Sequence, residues 1–161
     1  MPRIEIDTLP DTARVWIFGI SPSLEAGRQQ RLLASIDGFL ENWAAHGQPI
    51  RAARHLQEGS FLIIGVDEAA ETSGCSIDKM FGTLRQAEDA LGVSILDSGR
   101  VFVRHGDGRP EALTRADFRQ NADAHTIVFD TNADQLGRIR SGEWEKPAAE
   151  SWHRGLLAAG V

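Results

Sequence analysis

Apolar residues recur along this chain with two different periods. Arg14-Val15-Trp16-Ile17-Phe18-Gly19-Ile20 is almost continuously apolar, the pattern of a strand buried on both faces, and it predicts an inner strand of a sheet. Ser21-Pro22-Ser23 interrupts the run, and Ser23 is a candidate N-cap because its hydroxyl can accept from the free amides of a first helical turn. A helix over roughly 24–45 is then predicted, with Leu32, Leu33, Ile36, Phe39, Leu40 and Trp43 at steps of three and four on one face. Gly47 after His46 reads as its stop, with Pro49 beyond. Ile50–Gln57 is a weakly patterned strand and Phe61–Val66 the strongest strand of the chain. With the turn Glu58-Gly59-Ser60 between them, they read as a hairpin.

Beyond the acidic linker Asp67–Glu71, the period returns to that of a helix. Ile77, Met80, Phe81, Leu84, Ala87 and Leu91 form its stripe, and Gly92 ends it. The remaining signals are shorter. Val93–Leu96 and Val101–Arg104 are strand candidates around the turn Asp97-Ser98-Gly99, and His105-Gly106-Asp107-Gly108 is a tight turn. Thr114-Arg115-Ala116-Asp117 resembles a capping box opening a short helix. Thr126–Phe129 reads as a strand, Thr131-Asn132-Ala133-Asp134 as the start of a helical turn, and Pro147 as the first turn of a final helix with Trp152, Leu156 and Leu157 on its apolar side.

Taken in order, these elements predict an α+β fold: one sheet with helices mainly on one face, drawable as a ferredoxin-like split βαβ core with C-terminal additions. No repeat or low-complexity linker divides the chain, so residues 1–161 read as one domain, with a Trp-rich C-terminal segment, about 142–161, packing on it.

Composition narrows the function classes. With 161 residues, 42% hydrophobic and 25% charged, the chain can build a core without disulfides or metal. A net charge of -6 disfavours non-specific nucleic-acid binding, so no nucleic-acid partner is expected. The single cysteine cannot form an intramolecular disulfide, and no apolar run approaches bilayer length. The expectation is a cytoplasmic protein with no membrane partner. No metal site or cofactor is expected either: the chain carries no C-x-x-C, no H-E-x-x-H, no G-x-S-x-G and no dinucleotide or P-loop glycine motif.

One stretch stands out chemically. Ser73-Gly74-Cys75-Ser76-Ile77-Asp78 carries the only thiol and opens the second long helix. There the free amides and the macrodipole favour a thiolate. With His46 or His153 as base and Asp78 as orienter, Cys75 is a candidate catalytic nucleophile; equally, a small thiol behind Gly74 can simply pack. Ser76 and Asp78 can bind an anion or cap the helix. Trp43 with His46 can form a ligand shelf or complete the apolar face of the first helix, and Trp144 and Trp152 can form a partner surface or clamp the tail.

Arg14-Val15-Trp16-Ile17, Trp43 with His46-Gly47, Val66-Asp67-Glu68, Gly74–Asp78, Thr126–Phe129 and Trp144…Pro147-Ala148…Ser151-Trp152-His153 together resemble a family of short, uncharacterised bacterial proteins often named "ABC transporter ATPase". The resemblance spans nearly the whole chain and implies no catalytic residue. Its name implies nucleotide hydrolysis, yet Ile63–Glu68 repeats only the apolar strand and acidic end of a Walker B segment, and there is no phosphate-cradling loop. The sequence therefore points to a domain that binds a small ligand or a protein partner, a homodimer included. The alternative is a cysteine-dependent enzyme using Cys75.

Overall fold

The computed structural model describes residues 3–67 and 72–158. Its elements follow in order: β1 (Arg14–Gly19), α1 (Ala26–Asn42), β2 (Ala44–Ala45), β3 (Gln48–Pro49), β4 (Ala52–Gln57), β5 (Phe61–Val66), α2 (Gly74–Leu91), β6 (Arg100–Arg104), β7 (Glu111–Thr114), α3 (Arg115–Asn121), β8 (Ile127–Phe129), α4 (Leu136–Arg140) and β9 (Glu145–Pro147). The fold is α+β. The acidic linker beyond Asp67 lies outside the described residues.

β5 is the centre of the first sheet. All six of its residues are buried, and it pairs antiparallel with β1 on one side and β4 on the other, Trp16 and Arg54 both standing opposite Ile64. The β4–β5 turn places Glu58 and Gly59 at φ of 55° and 66°, the left-handed pair that suits the twist of a tight hairpin. A side chain at Gly59 would meet the Leu24 carbonyl at 2.6 Å. The same device closes β2 and β3, with His46 at 53° and Gly47 at 77°.

The two helical stripes do what their periods require. Leu32, Ile36 and Leu40 of α1, with Met80, Leu84, Ala87 and Leu91 of α2, cover one face of this sheet, meeting Phe18, Leu62, Ile64 and Val66. α1 is capped by Glu25, whose carboxylate accepts from the Arg28 amide; the Ser23 hydroxyl instead bonds that of Ser60 at 2.7 Å. Gly92, in the left-handed conformation, closes α2.

The other face of the first sheet is covered too, which the sequence did not announce. Val15, Ala53 and Ile63 pack on Leu9, Ala13 and Leu136. A second antiparallel sheet, ordered β7-β6-β8-β9, stacks on it through an aromatic seam. Phe61 of β5 lies at the centre of that seam, with ring centroids 4.7 Å from Phe129, 4.9 Å from Trp144 and 5.1 Å from Phe102. Arg104 on β6 pins the two sheets at the rim. Its guanidinium donates to Glu58 at 2.7 Å and Glu145 at 2.9 Å and lies over the Phe129 ring. The Arg104 hydrogen bonds hold the Glu58 carboxyl below its usual range. α3 covers the far side of the second sheet with Phe118, against Val101, Val103 and Val128.

Several expectations are corrected. There are two main sheets and the small β2–β3 hairpin rather than one sheet. The order β1-β5-β4 supplies three strands of a split βαβ core, but the ferredoxin-like sheet is not completed. Val93–Leu96 forms no strand and contributes only a single antiparallel bridge, Ser94 to Ser21. β1 is consequently an edge strand, not an inner one. Pro147 ends β9 instead of opening a helix, and the tail runs on in 3₁₀ turns, Ala148–Glu150 and Trp152–Leu156. The helical turn expected at Thr131 begins only at Leu136. Among the described residues, no helix is long and apolar enough to cross a membrane.

Candidate functional site

The predicted site residues fall in separate places. Cys75 is exposed at the second position of α2. The cap of that helix is Ser73, in a reciprocal box with Ser76: the Ser76 amide donates to the Ser73 hydroxyl at 3.1 Å, and the Ser73 amide to the Ser76 hydroxyl at 2.8 Å. Ser76 is therefore buried and occupied in capping. Asp78 is exposed two residues beyond Ser76. Trp43 is buried where α1 ends, donates its indole N–H to the Ser76 carbonyl at 2.8 Å, and packs edge-on against Trp16. It borders a shallow depression of about 380 Å³ between α1 and α2, with Phe39, Lys79 and Gln86. His46 is exposed at the tip of the β2–β3 turn.

His153 lies in the other half of the molecule. It is 1% exposed, shares a 2.7 Å hydrogen bond with the Ser151 hydroxyl through Nδ1, and stacks on Trp152 with centroids 3.8 Å apart. Burial pushes its imidazole down to about 4, with Asp130 opposing and Arg115 and Lys146 reinforcing the shift, so it is neutral at pH 7. No hydrogen bond joins Cys75 to His46 or His153 among the described residues; the expected Cys–His pair is not assembled. Among the same residues no cluster of His, Cys, Asp and Glu is arranged to hold a metal ion. Trp144 is buried in the aromatic seam. Trp152 is the one large hydrophobic side chain left exposed among the described residues, at 43%. Its indole N–H donates to the buried carboxylate of Asp130, which also accepts from Arg138 at 2.9 Å. The tail is thus tied to the body of the fold by the Trp152–Asp130 bond and by the Ala148 and Ala149 amides, which donate to the Thr126 and Ala124 carbonyls.

What the structure does assemble is a cleft along the open edge of β1. It holds about 360 Å³ and is walled by Ile17, Phe18 and Gly19 of β1, Phe81 of α2, Phe102 of β6 and Trp152. Arg115, Ser98, Thr131 and Asn132 supply polar groups at its rim. A second hollow of about 330 Å³ shares Ile17, Phe18, Phe81, Thr131 and Asn132 and extends it toward Arg14 and Asp134. Gly19 is required here by close approach: a Cβ on it would overlap the Phe102 ring.

The polarity of this edge follows from its ends. The Val15 amide donates to the Asp134 carbonyl, and the Ser21 amide exchanges hydrogen bonds with Ser94. Successive residues of a strand face alternate sides, so odd-numbered residues present their backbone groups away from β5. Between those two fixed points, Ile17 and Gly19 point N–H and C=O into the cleft, and neither has a partner on that side among the described residues. Of the three arginines bordering the combined cleft, Arg100 is paired with Asp97, whereas Arg14 and Arg115 have no carboxylate partner among the described residues.

Sequence reasoning missed this site because its lining comes from six separate segments. One signal was present: a glycine near the end of an apolar strand run often marks a place where another group approaches the backbone. Comparison of the chain with family models, with curated proteins and with solved structures gave no match.

Proposed function

We propose that this chain is a non-covalent binding domain whose site is the cleft at the open edge of β1. The observation that carries the reading is the coincidence, in one concavity, of apolar and aromatic walls with polar groups that have no partner among the described residues: the outward Ile17 and Gly19 backbone groups and the Arg115 guanidinium. Ligand sites typically combine an apolar concavity of about 300–1,000 Å³ with a few orienting polar groups. Cys75 does not border this cleft and makes no hydrogen bond to His46 or His153 among the described residues, so the reading needs no nucleophile. It also needs no nucleotide chemistry.

Amide chemical-shift mapping tests it. Titration with small aromatic carboxylates, such as phenylacetate, is expected to move the amides of Ile17, Gly19, Ser98, Asn132 and the Trp152 indole together. Shifts confined to the Trp43 depression, or no shift at millimolar concentration, would overturn the proposal.

A further inference from the structure

We infer that the cleft receives an extended, carboxylate-bearing peptide segment, which adds to β1 as a strand between the two points where the chain's own loops already pair with it. The inference rests on the cleft being the binding site and names its ligand class. Four observations carry it.

The first is the vacant edge. Ile17 and Gly19 together offer two donors and two acceptors on the side of β1 away from β5, spaced as a strand's outward groups are. Unpaired edge groups are a template for another strand, and main-chain pairing is what supplies affinity when an extended peptide adds to a sheet edge.

The second is the length and direction of the gap. It is closed at one end by the antiparallel bridge of Arg14 with Gln135 and at the other by that of Ser21 with Ser94. Opposite Trp16 to Gly19 there is room for roughly four residues of strand at about 3.3 Å each. Because both flanking segments run antiparallel to β1, an antiparallel guest continues their ladder.

The third is the pair of unlike walls. Phe18 and Phe81, in edge contact with centroids 5.8 Å apart, face one side of the slot, and Phe102, Trp152 and Arg115 belong to the side of the second sheet. Since alternate side chains of a strand point to opposite sides, the guest that fits alternates apolar with acidic residues. A ligand without a main chain would leave the periodic donors and acceptors of Ile17 and Gly19 unused.

The fourth is charge. On a chain of net charge -6, three arginines and two aspartates border the combined cleft, and two of those arginines, Arg14 and Arg115, have no carboxylate partner among the described residues. A carboxylate reaching Arg115 forms a charge-assisted hydrogen bond.

The probe is an acetylated, amidated pentapeptide of alternating valine and aspartate, titrated into the whole chain and followed by the amide shifts of Ile17 and Gly19 and by the Trp152 indole N–H shift. Binding is expected, with N-methylation of alternate peptide bonds weakening it at least tenfold and N-methylation of the intervening bonds having little effect. Replacing the aspartates by lysines, or Arg115→Glu in the protein, is expected to weaken it at least tenfold as well. Equal tolerance of N-methylation at every bond, equal affinity of the lysine peptide, or no binding at millimolar concentration overturns the inference. Phenylacetate separates the two failures. If it still shifts the cleft amides while the peptide does not, the cleft is a small-ligand site and only the strand-addition inference falls; if neither probe shifts them, both fall.

Discussion

Two concavities of nearly equal volume lie at the surface of this protein, and they differ in what their walls have left to give. The depression beside Trp43 is walled by α1 and α2, whose peptide groups are spent on their own helices, and by long polar side chains such as Lys79 and Gln86. The cleft along β1 is walled by a strand edge with outward N–H and C=O groups to spare, and by side chains from both sheets. Volume does not separate the two; unused hydrogen-bonding capacity and shared ownership by two sheets do. The contrast also locates fragility. The depression survives as long as two helices pack, whereas the cleft exists only while the second sheet stays docked.

The largest expected effect breaks the cleft by undocking that sheet. Phe61 is fully buried and touches Phe102, Phe129 and Trp144. Phe61→Ala is expected to cost about 3–5 kcal/mol of stability, the range for removing a buried phenylalanine. Urea denaturation would measure this. Amide exchange should rise first in β6, β8 and β9, and the Trp43 surroundings should be affected last. Uniform loosening of both halves would show that the cleft is no more fragile than the Trp43 depression.

Next in size is a pH effect belonging to the cleft side. His153 titrates near 4 in the folded chain against about 6.5 when unfolded. Between these values the unfolded chain holds a proton that the native one refuses, so stability is fully present above about pH 6.5 and is lost as pH falls toward 4, by on the order of 3 kcal/mol. Asp37 and Glu58, held low by Arg54 and Arg104, contribute their losses below the window where His153 acts. Melting temperature measured from pH 7 to 4.5 should fall, and His153→Gln should flatten that slope. An unchanged slope in the variant would mean the imidazole is not the group responsible.

How much of this was legible beforehand follows the same division. The helix-covered side was read well because its signals are local. The stripes of α1 and α2, the all-apolar β5 and the Gly92 stop are each written within one short segment, as is the Thr114 cap of α3 on the other side, whose hydroxyl accepts from the Asp117 amide at 3.0 Å. In the second sheet the strands at Val101–Arg104 and Thr126–Phe129 were legible, but β7, β9 and the pairing were not, because the strands are three to five residues long and β6 pairs with β8 across α3. No periodicity marks such pairing. Trp144 and Trp152 drew notice as aromatics, but only the fold assigns one to the seam and the other to the rim. Phe81 fitted the α2 stripe by period, yet it is only partly buried and borders the cleft. Cys75 drew attention by its rarity, which says nothing about neighbours.

A pair of glycines sharpens the comparison with smaller effects of opposite sign. At Gly19 an added methyl collides with the Phe102 ring, and Gly19→Ala is expected to cost about 1–3 kcal/mol, the usual range for overpacking. At Gly82, inside α2 on the wall of the Trp43 depression, an added methyl meets nothing within 4 Å. Gly82→Ala should therefore gain about 0.5–1 kcal/mol from helix propensity. If both variants lose stability, the open space beside α2 is not open.

The smallest effect concerns the thiol. Cys75 is exposed, makes no hydrogen bond among the described residues and follows Gly74 in the first turn of a helix capped by Ser73 and Ser76. Removing it withdraws no packing from the core, so Cys75→Ser should change stability by less than about 0.5 kcal/mol, as for other surface substitutions. The same variant should leave peptide and phenylacetate binding at the cleft unaltered, because Cys75 does not border it. Ser73→Ala, which removes the cap two residues earlier, should cost about 1 kcal/mol, so the first turn of α2 depends on its serines and not on its sulfur. A large loss of cleft binding in Cys75→Ser, with stability unchanged, would reverse that order and return the thiol to the functional site.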